Sequence, residues 1–237
     1  TARSGRYFPR REAMADAFGP ALTSFADERF QWINAPEKTS QAADGSTLSV
    51  TPALGCDFWA RTFYGPMPMI KADGAALVAP VPAAAEVTLS VGFTLKAVGQ
   101  FDQAGAFIYV DDDTFVKAGI EFCDNVPRLS VVVTNGGFSD WSTQLLPFLA
   151  LRLRVSKLAP GPVQGPALLV EAAPYEEGAT FDSPGDWQFV RVASLRSGDK
   201  PWRMGVAAAG PVKAGSSAQF HYVHIGPKLK PTHSPEL

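Results

Sequence analysis

A chain of 237 residues that is 46% hydrophobic can bury a sizeable core, and 21 basic against 23 acidic side chains give no electrostatic footprint for nucleic acid. No apolar run reaches the ~18 residues of a membrane-spanning helix, and two cysteines cannot make a disulfide framework. With 21 glycines and 20 prolines, the composition suits many short strands joined by tight turns.

Residues 1–28 read as an extension with a short amphipathic helix over 10–18, stopped by Gly19-Pro20. Strands are expected at 30–34, 46–51, 57–63 and 75–79, the last two separated by a loop containing Pro66 and Pro68. The stretch 85–96 has the clearest two-residue period: Val87, Leu89, Val91, Phe93 and Leu95 share one face, and Thr88, Ser90, Gly92, Thr94 and Lys96 the other. One buried and one partly wet face is the habit of an antiparallel sandwich. A meander follows over 104–141, with turn clusters at Asp111-Asp112-Asp113 and Asp124-Asn125-Val126-Pro127. Further strands are expected at 151–155, 167–172, 187–192, 203–207 and 218–225. The total of about twelve to fourteen strands predicts one all-β, two-sheet sandwich over 29–227. Residues 228–237 are polar and Pro-rich and read as a flexible tail.

Five strings taken together resemble one family: DFWARTFYG at 57–65, FDQAG at 101–105, VKAGIEF at 116–122, LSVVVTNGGFSDWS at 129–142 and MGVAAAGP at 204–211. The resemblance is to the regulation-of-enolase-type concanavalin A-like family, a domain of unknown function, and more distantly to the C-terminal sandwich of β-xylosidases. It implies a jelly-roll sandwich of two antiparallel sheets, with a concave sheet on which related folds bind or cleave sugars. It implies no particular reaction. The family usually carries a His-containing aromatic segment after its Tyr-Gly, where this chain has Pro66-Met67-Pro68-Met69, so no ligand contact carries over to that loop.

The chemistry-bearing residues lie mainly in the meander. On 114–122, Val116, Ala118, Ile120 and Phe122 make the better core face, which turns Phe115, Lys117, Gly119 and Glu121 outward. Lys117 and Glu121 then stand about 13 Å apart on one sheet surface. Arg152, Arg154, Arg191 and Asp140 are expected to join that surface from other strands, with Trp141 as a stacking platform. Asp57, Trp59 and Arg61 alternate on one face of their strand, so Asp57 pairs with Arg61 or both meet a ligand. Asp102-Gln103 is placed to brace the meander. The candidate ligand-binding set is Asp57, Arg61, Gln103, Lys117, Glu121, Asp140, Trp141 and Arg191. Cross-strand ion pairing on a wet sheet, with no ligand, is the competing account of the same residues.

Catalytic and metal signatures are weak. The carboxylates near Glu121 do not repeat the Glu-x-Asp-x-x-Glu spacing of retaining glycosidases built on such sandwiches. His221 and His224 are expected on opposite faces of their strand, which argues against a shared ion. Cys56 and Cys123 read as buried reduced thiols, one disulfide between them being the alternative. The sequence therefore leads to a carbohydrate-binding or lectin-like module with no catalysis of its own, no cofactor and no metal. A protein-interaction or regulatory domain and a glycoside hydrolase or lyase are the alternatives. The partner is expected to be an oligosaccharide or a protein, with no nucleic acid and no membrane, and the setting intracellular (cytoplasmic).

Overall fold

The alternation at 85–96 becomes the middle of a sheet in the computed structural model, which describes residues 18–65, 69–158 and 165–233. Among the described residues there are sixteen strands. In chain order they are β1 (Gln31–Trp32), β2 (Lys38–Gln41), β3 (Leu48–Thr51), β4 (Phe58–Ala60), β5 (Ile70–Ala72), β6 (Ala75–Val81), β7 (Val87–Lys96) and β8 (Gln103–Asp111). They continue as β9 (Thr114–Cys123), β10 (Val126–Asn135), β11 (Phe138–Leu145), β12 (Ala150–Leu158), β13 (Ala167–Pro174), β14 (Gln188–Ser194), β15 (Trp202–Ala209) and β16 (Ser217–Pro227).

Two seven-stranded antiparallel sheets result. The meander sheet runs β1-β6-β15-β8-β9-β10-β11, the second sheet runs β14-β13-β12-β7-β16-β3-β2, and β4-β5 forms a separate two-stranded piece. The sequence-based sandwich is therefore what the chain forms. Val87, Leu89, Val91, Phe93 and Leu95 of β7 are buried against Ala106 and Ile108 of β8, Val116, Ala118 and Ile120 of β9, and Leu129, Val131 and Val133 of β10. Each large aliphatic side chain so buried contributes about 1.5–3 kcal/mol, and these layers hold the sheets together. Two hairpins fix the meander register. Asp124-Asn125 (φ +55° and +63°) and Gly136-Gly137 (φ +58° and +77°) are two-residue turns with both φ positive, matched to strand twist.

Residues near both ends of the described chain are tied to this frame. Leu22 forms a bridge with Ile225, and Leu22 and Phe25 enter the core, so part of the expected extension lies within the sandwich. Beyond β16, the backbone N–H of Leu229 donates to Thr88 Oγ1 at 2.9 Å and that of Thr232 to Glu171 Oε1 at 2.6 Å. Most of the expected helix, residues 10–17, lies outside the described residues.

Several expectations are corrected. The strand expected at 57–63 stops at Ala60, because Arg61 and Phe63 take left-handed backbone (φ +54° and +67°) that no strand accommodates. β2 escapes a sequence reading because Lys-Thr-Ser-Gln offers no apolar residue; it is an exposed edge strand. His221 and His224 lie on the same face, not opposite ones. A bulge between Phe220 and Tyr222 inserts one residue and resets the parity: His221 bonds Thr94, whose strand neighbours Ser90 and Gly92 pair with His224 and Tyr222.

Arg152 and Arg154 do share a face, but it belongs to the second sheet. There Arg152 donates to the carbonyls of Pro174, Ser183 and Pro184 at 3.0–3.1 Å, and Arg154 to that of Phe181 at 3.2 Å. Both guanidinium groups lie over the Trp187 ring, at 5.2 and 3.9 Å. These arginines hold the 175–187 loop against the sheet and are absent from the Lys117–Glu121 surface.

Candidate functional site

The outer face of the meander sheet is roofed rather than open. Phe58 of β4 packs on Phe107 (centroids 4.3 Å apart) and Phe115 (5.7 Å), a satellite apolar cluster that pins the β4–β5 hairpin over β8 and β9. Beneath it, Gly105 and Gly119 face each other across the β8–β9 pairing. A Cβ at Gly119 would sit 2.0 Å from the Ala104 carbonyl oxygen, and one at Gly105 would sit 2.1 Å from that of Ala118. Only glycine fits at either position. Ala207 and Ser130 complete this row of small residues, leaving a depression between Lys117 and Glu121.

Asp57 comes down from the roof onto that floor. Its Oδ1 accepts from the Phe58 N–H (2.7 Å), from Gln103 Nε2 (2.9 Å) and from Lys117 Nζ (2.9 Å). The carboxylate–ammonium pair is largely buried, with 10% and 11% of its side chains exposed. The predicted Asp57–Arg61 pair does not form. Arg61 turns away with the left-handed backbone; it reaches the Gly137 carbonyl at 3.4 Å and lies over the Phe138 ring.

Glu121 is 5% exposed. Its Oε2 accepts from Ser130 Oγ at 2.7 Å, and Ser130 Oγ accepts from Trp141 Nε1 at 2.8 Å, so the indole orients the hydroxyl that orients the carboxyl. Burial pushes the Glu121 carboxyl above the ordinary carboxylate range; the Lys117 charge and the Ser130 hydrogen bond oppose this, and the Asp57 charge adds to it. Between this floor and the roof lies a cavity of about 200 Å³. Asp57, Glu121, Trp59, Tyr64, Phe101 and Trp141 are among its lining residues.

The loop that delivers Phe101 is held by Asp102, whose Oδ2 accepts from the Val98 and Gly99 N–H groups at 2.7 Å. The predicted bracing by Asp102-Gln103 is thus realised through two different partners, since Gln103 braces the roof. Phe101 itself has φ +67°, a conformation that costs a bulky residue of order 1–3 kcal/mol. Arg61 and Phe63, just after β4, carry the same left-handed strain.

Of the eight predicted site residues, Asp57, Gln103, Lys117, Glu121 and Trp141 come together. Arg61, Asp140 and Arg191 do not join them. Asp140 adjoins Trp141 on one strand, so the two must face opposite ways. Asp140 pairs with Arg191 at 3.0 Å, linking β11 at the margin of the meander sheet to β14 at the margin of the second, where Arg191 also donates to Ser142 Oγ at 2.8 Å. The sequence reading missed Tyr64, Phe101 and Ser130. Tyr64 and Phe101 lie in loops where periodicity is silent, and Ser130 reads as filler between Leu129 and Val131. The only signal for the first two was their place inside the DFWARTFYG and FDQAG strings.

Cys56 and Cys123 are buried free thiols. Among the described residues, no group of three or more His, Cys, Asp or Glu could hold a metal ion, and no helix is long and apolar enough to cross a membrane.

A family model described as "Protein of unknown function (DUF1349)" matches residues 32–228. Regulation of enolase protein 1 of Saccharomyces cerevisiae is 37% identical over 112 residues, a match covering 47% of this chain and 52% of that protein. The chain thus spans about half the length of this curated relative. A functionally unknown protein of Saccharomyces cerevisiae has a similar solved structure, with TM-score 0.70 at 27% identity, covering 85% of this chain and 98% of that one. The GH43 BlXynB protein of Bacillus licheniformis is similar over 87% of this chain and 39% of its own, with TM-score 0.63 at 14% identity. Peanut lectin matches over 87% of this chain and 96% of its own, with TM-score 0.53 at 10% identity. The last two likenesses are of fold alone.

Proposed function

The chain belongs to the DUF1349 family, and from that premise we propose that it is a binding module, without catalysis of its own, that takes one sugar-sized ring in the pocket under the β4–β5 hairpin. The observation that carries this reading is the pocket: aromatic walls, a carboxyl at the base and an ion pair at its side, in about 200 Å³. That volume lies below the roughly 300–1,000 Å³ of a site for a drug-sized ligand, so it favours one ring or a chain end over a length of polymer. Sugar rings present C–H faces to aromatic walls and hydroxyls to charged groups, and both kinds of surface are available here. The roof replaces the open concave trough expected from sequence, and the reading changes with it from a groove to a pocket.

The test is a glycan array followed by calorimetry on the hits. Trp141→Ala is expected to weaken binding about tenfold, the upper end of what one aromatic contact contributes, with the unfolding transition kept cooperative. A wild-type protein that binds no glycan on the array and no monosaccharide at millimolar concentration would sink the proposal. A second reading, docking of a protein partner, is favoured by exposed apolar residues: Leu54, Phe63, Ile70 and Val212 are each more than half exposed, and Val212 also lines the pocket. A partner that binds equally well to the Trp141→Ala variant and to wild type would support that second reading over the first.

A further inference from the structure

The four rings that line the pocket close on one another. Trp59 meets Tyr64 at 5.3 Å between centroids, Tyr64 meets Phe101 at 5.7 Å, Phe101 meets Trp141 at 6.4 Å, and Trp141 returns to Trp59 at 6.2 Å. Interplanar angles of 77°, 76°, 69° and 82° make each ring nearly perpendicular to the next. Such a circuit surrounds the pocket like a box, and its side lengths put its centre within about 6 Å of every centroid, the distance at which any ring face turned inward makes a cation–π contact.

Two carboxyls, Asp57 and Glu121, and two ammonium groups, Lys71 and Lys117, line the pocket. Lys117 is engaged by Asp57 at 2.9 Å, and Lys71 by the Gly55 carbonyl at 2.9 Å and Asp73 at 3.3 Å. Glu121 is the lining carboxyl with no cation bonded to it; its Oε2 is occupied by Ser130, and its Oε1 takes no part in that bond. Taking the pocket as a ligand site, as proposed above, we infer that its ligand carries an ammonium group, primary or methylated, seated in the box of rings with Glu121 as counter-charge.

The chemistry of the walls favours this over a neutral polyol. A hydroxyl placed among the four rings would lose its hydrogen bonds to water and find carbon in return. An ammonium group is attracted by the ring faces themselves, and methyl groups on it add apolar contact. Burial raises the Glu121 carboxyl above the ordinary range, and a cation beside it favours the ionised form. An amino sugar and a free methylammonium compound present the same group, so the probes must separate them.

The experiment is calorimetric titration of the full chain with glucosamine, N-acetylglucosamine, glucose and tetramethylammonium at matched ionic strength. It is repeated on Glu121→Gln and on Tyr64→Leu, which removes one wall of the box from the half-buried roof. The expected result is glucosamine binding at least about tenfold tighter than glucose or N-acetylglucosamine, measurable tetramethylammonium binding, and loss of at least about tenfold for both cations in each variant. Equal binding of glucosamine, glucose and N-acetylglucosamine, unaltered in Glu121→Gln, would overturn the ammonium inference and leave the sugar reading standing. Tetramethylammonium binding with the same losses, but no sugar binding, would overturn the sugar reading and support the ammonium site. No binding of any probe overturns both.

Discussion

Asp57→Ala is the sharpest test of how the roof is attached. The substitution removes one oxygen that accepts three hydrogen bonds, and it leaves Lys117 with no anion bonded to it in a setting where Lys117 is only 9% exposed. Removing one member of a buried ion pair costs about 3–5 kcal/mol, because the survivor's charge stays desolvated. The adjoining cavity lets water partly reach the ammonium, so a loss near 3 kcal/mol is expected. For a chain of this length that corresponds to a fall of about 6–12 °C in Tm. Lys117→Met should cost less, because the Asp57 oxygen keeps the Phe58 N–H and the Gln103 amide as donors. The double variant should be about as stable as Asp57→Ala alone or better, giving a coupling of roughly 2 kcal/mol. Urea unfolding of wild type, both single variants and the double variant measures all four corners. A cost for Asp57→Ala below about 1 kcal/mol, or a double variant equal to the sum of the singles, would refute the pair as a tether of the roof.

Glu121→Gln tests the same floor through pH. The carboxyl's folded value lies above its ordinary 4.5, so both states are protonated below about that pH; on raising the pH the unfolded state ionises first and the native state loses stability, completely so above the folded value. With Asp57 and Tyr64 facing it from the roof and Lys117 on its own strand, the variant should match wild type near pH 4 and exceed it at pH 7–8; no gain in urea unfolding at pH 8 relative to pH 4 would contradict this. Gly119→Ala would drive a methyl group into the Ala104 carbonyl and should cost about 3 kcal/mol or more, against little change for Gly165→Ala, where nothing lies within 4 Å; thermal melts of the two compare them. Burial raises both thiols, that of Cys123 to about 11, so neither should react with an aromatic disulfide reagent at pH 8 except through unfolding. Stoichiometric reaction of the native protein within seconds would contradict that burial.

The two-residue period of a strand survives into any sheet, which is why the faces of β7 and β9 could be read from sequence and why Lys117 and Glu121 were rightly placed together. What a period cannot carry is the identity of the sheet. Arg152 and Arg154 alternate as cleanly as Lys117 and Glu121, and the two pairs lie on different sheets because strand order is set by packing over long chain separations. Parity also fails wherever an unseen residue is inserted, as at the β16 bulge that brings His221 and His224 to one face. The roof was the least legible part. Its strand is three residues long, and it ends at two bulky residues with positive φ that composition gives no reason to expect. Phe101 was hidden in the same way, since its side chain enters the pocket only through a left-handed backbone that the Asp102 clamp and the meander impose.

The hairpin that covers the pocket is encoded by one uninterrupted run, from Gly55 to Gly74, while the surface beneath it comes from strands spread over the following hundred-odd positions. Two side-chain anchors, Phe58 and Asp57, fasten that run, with Ala60 N–H on Ser139 Oγ at 3.0 Å as a third point of attachment. In the proposed pocket, a graft that keeps those three fastenings and changes Trp59, Tyr64 or Lys71 would exchange the roof's share of the wall while the strands beneath keep theirs.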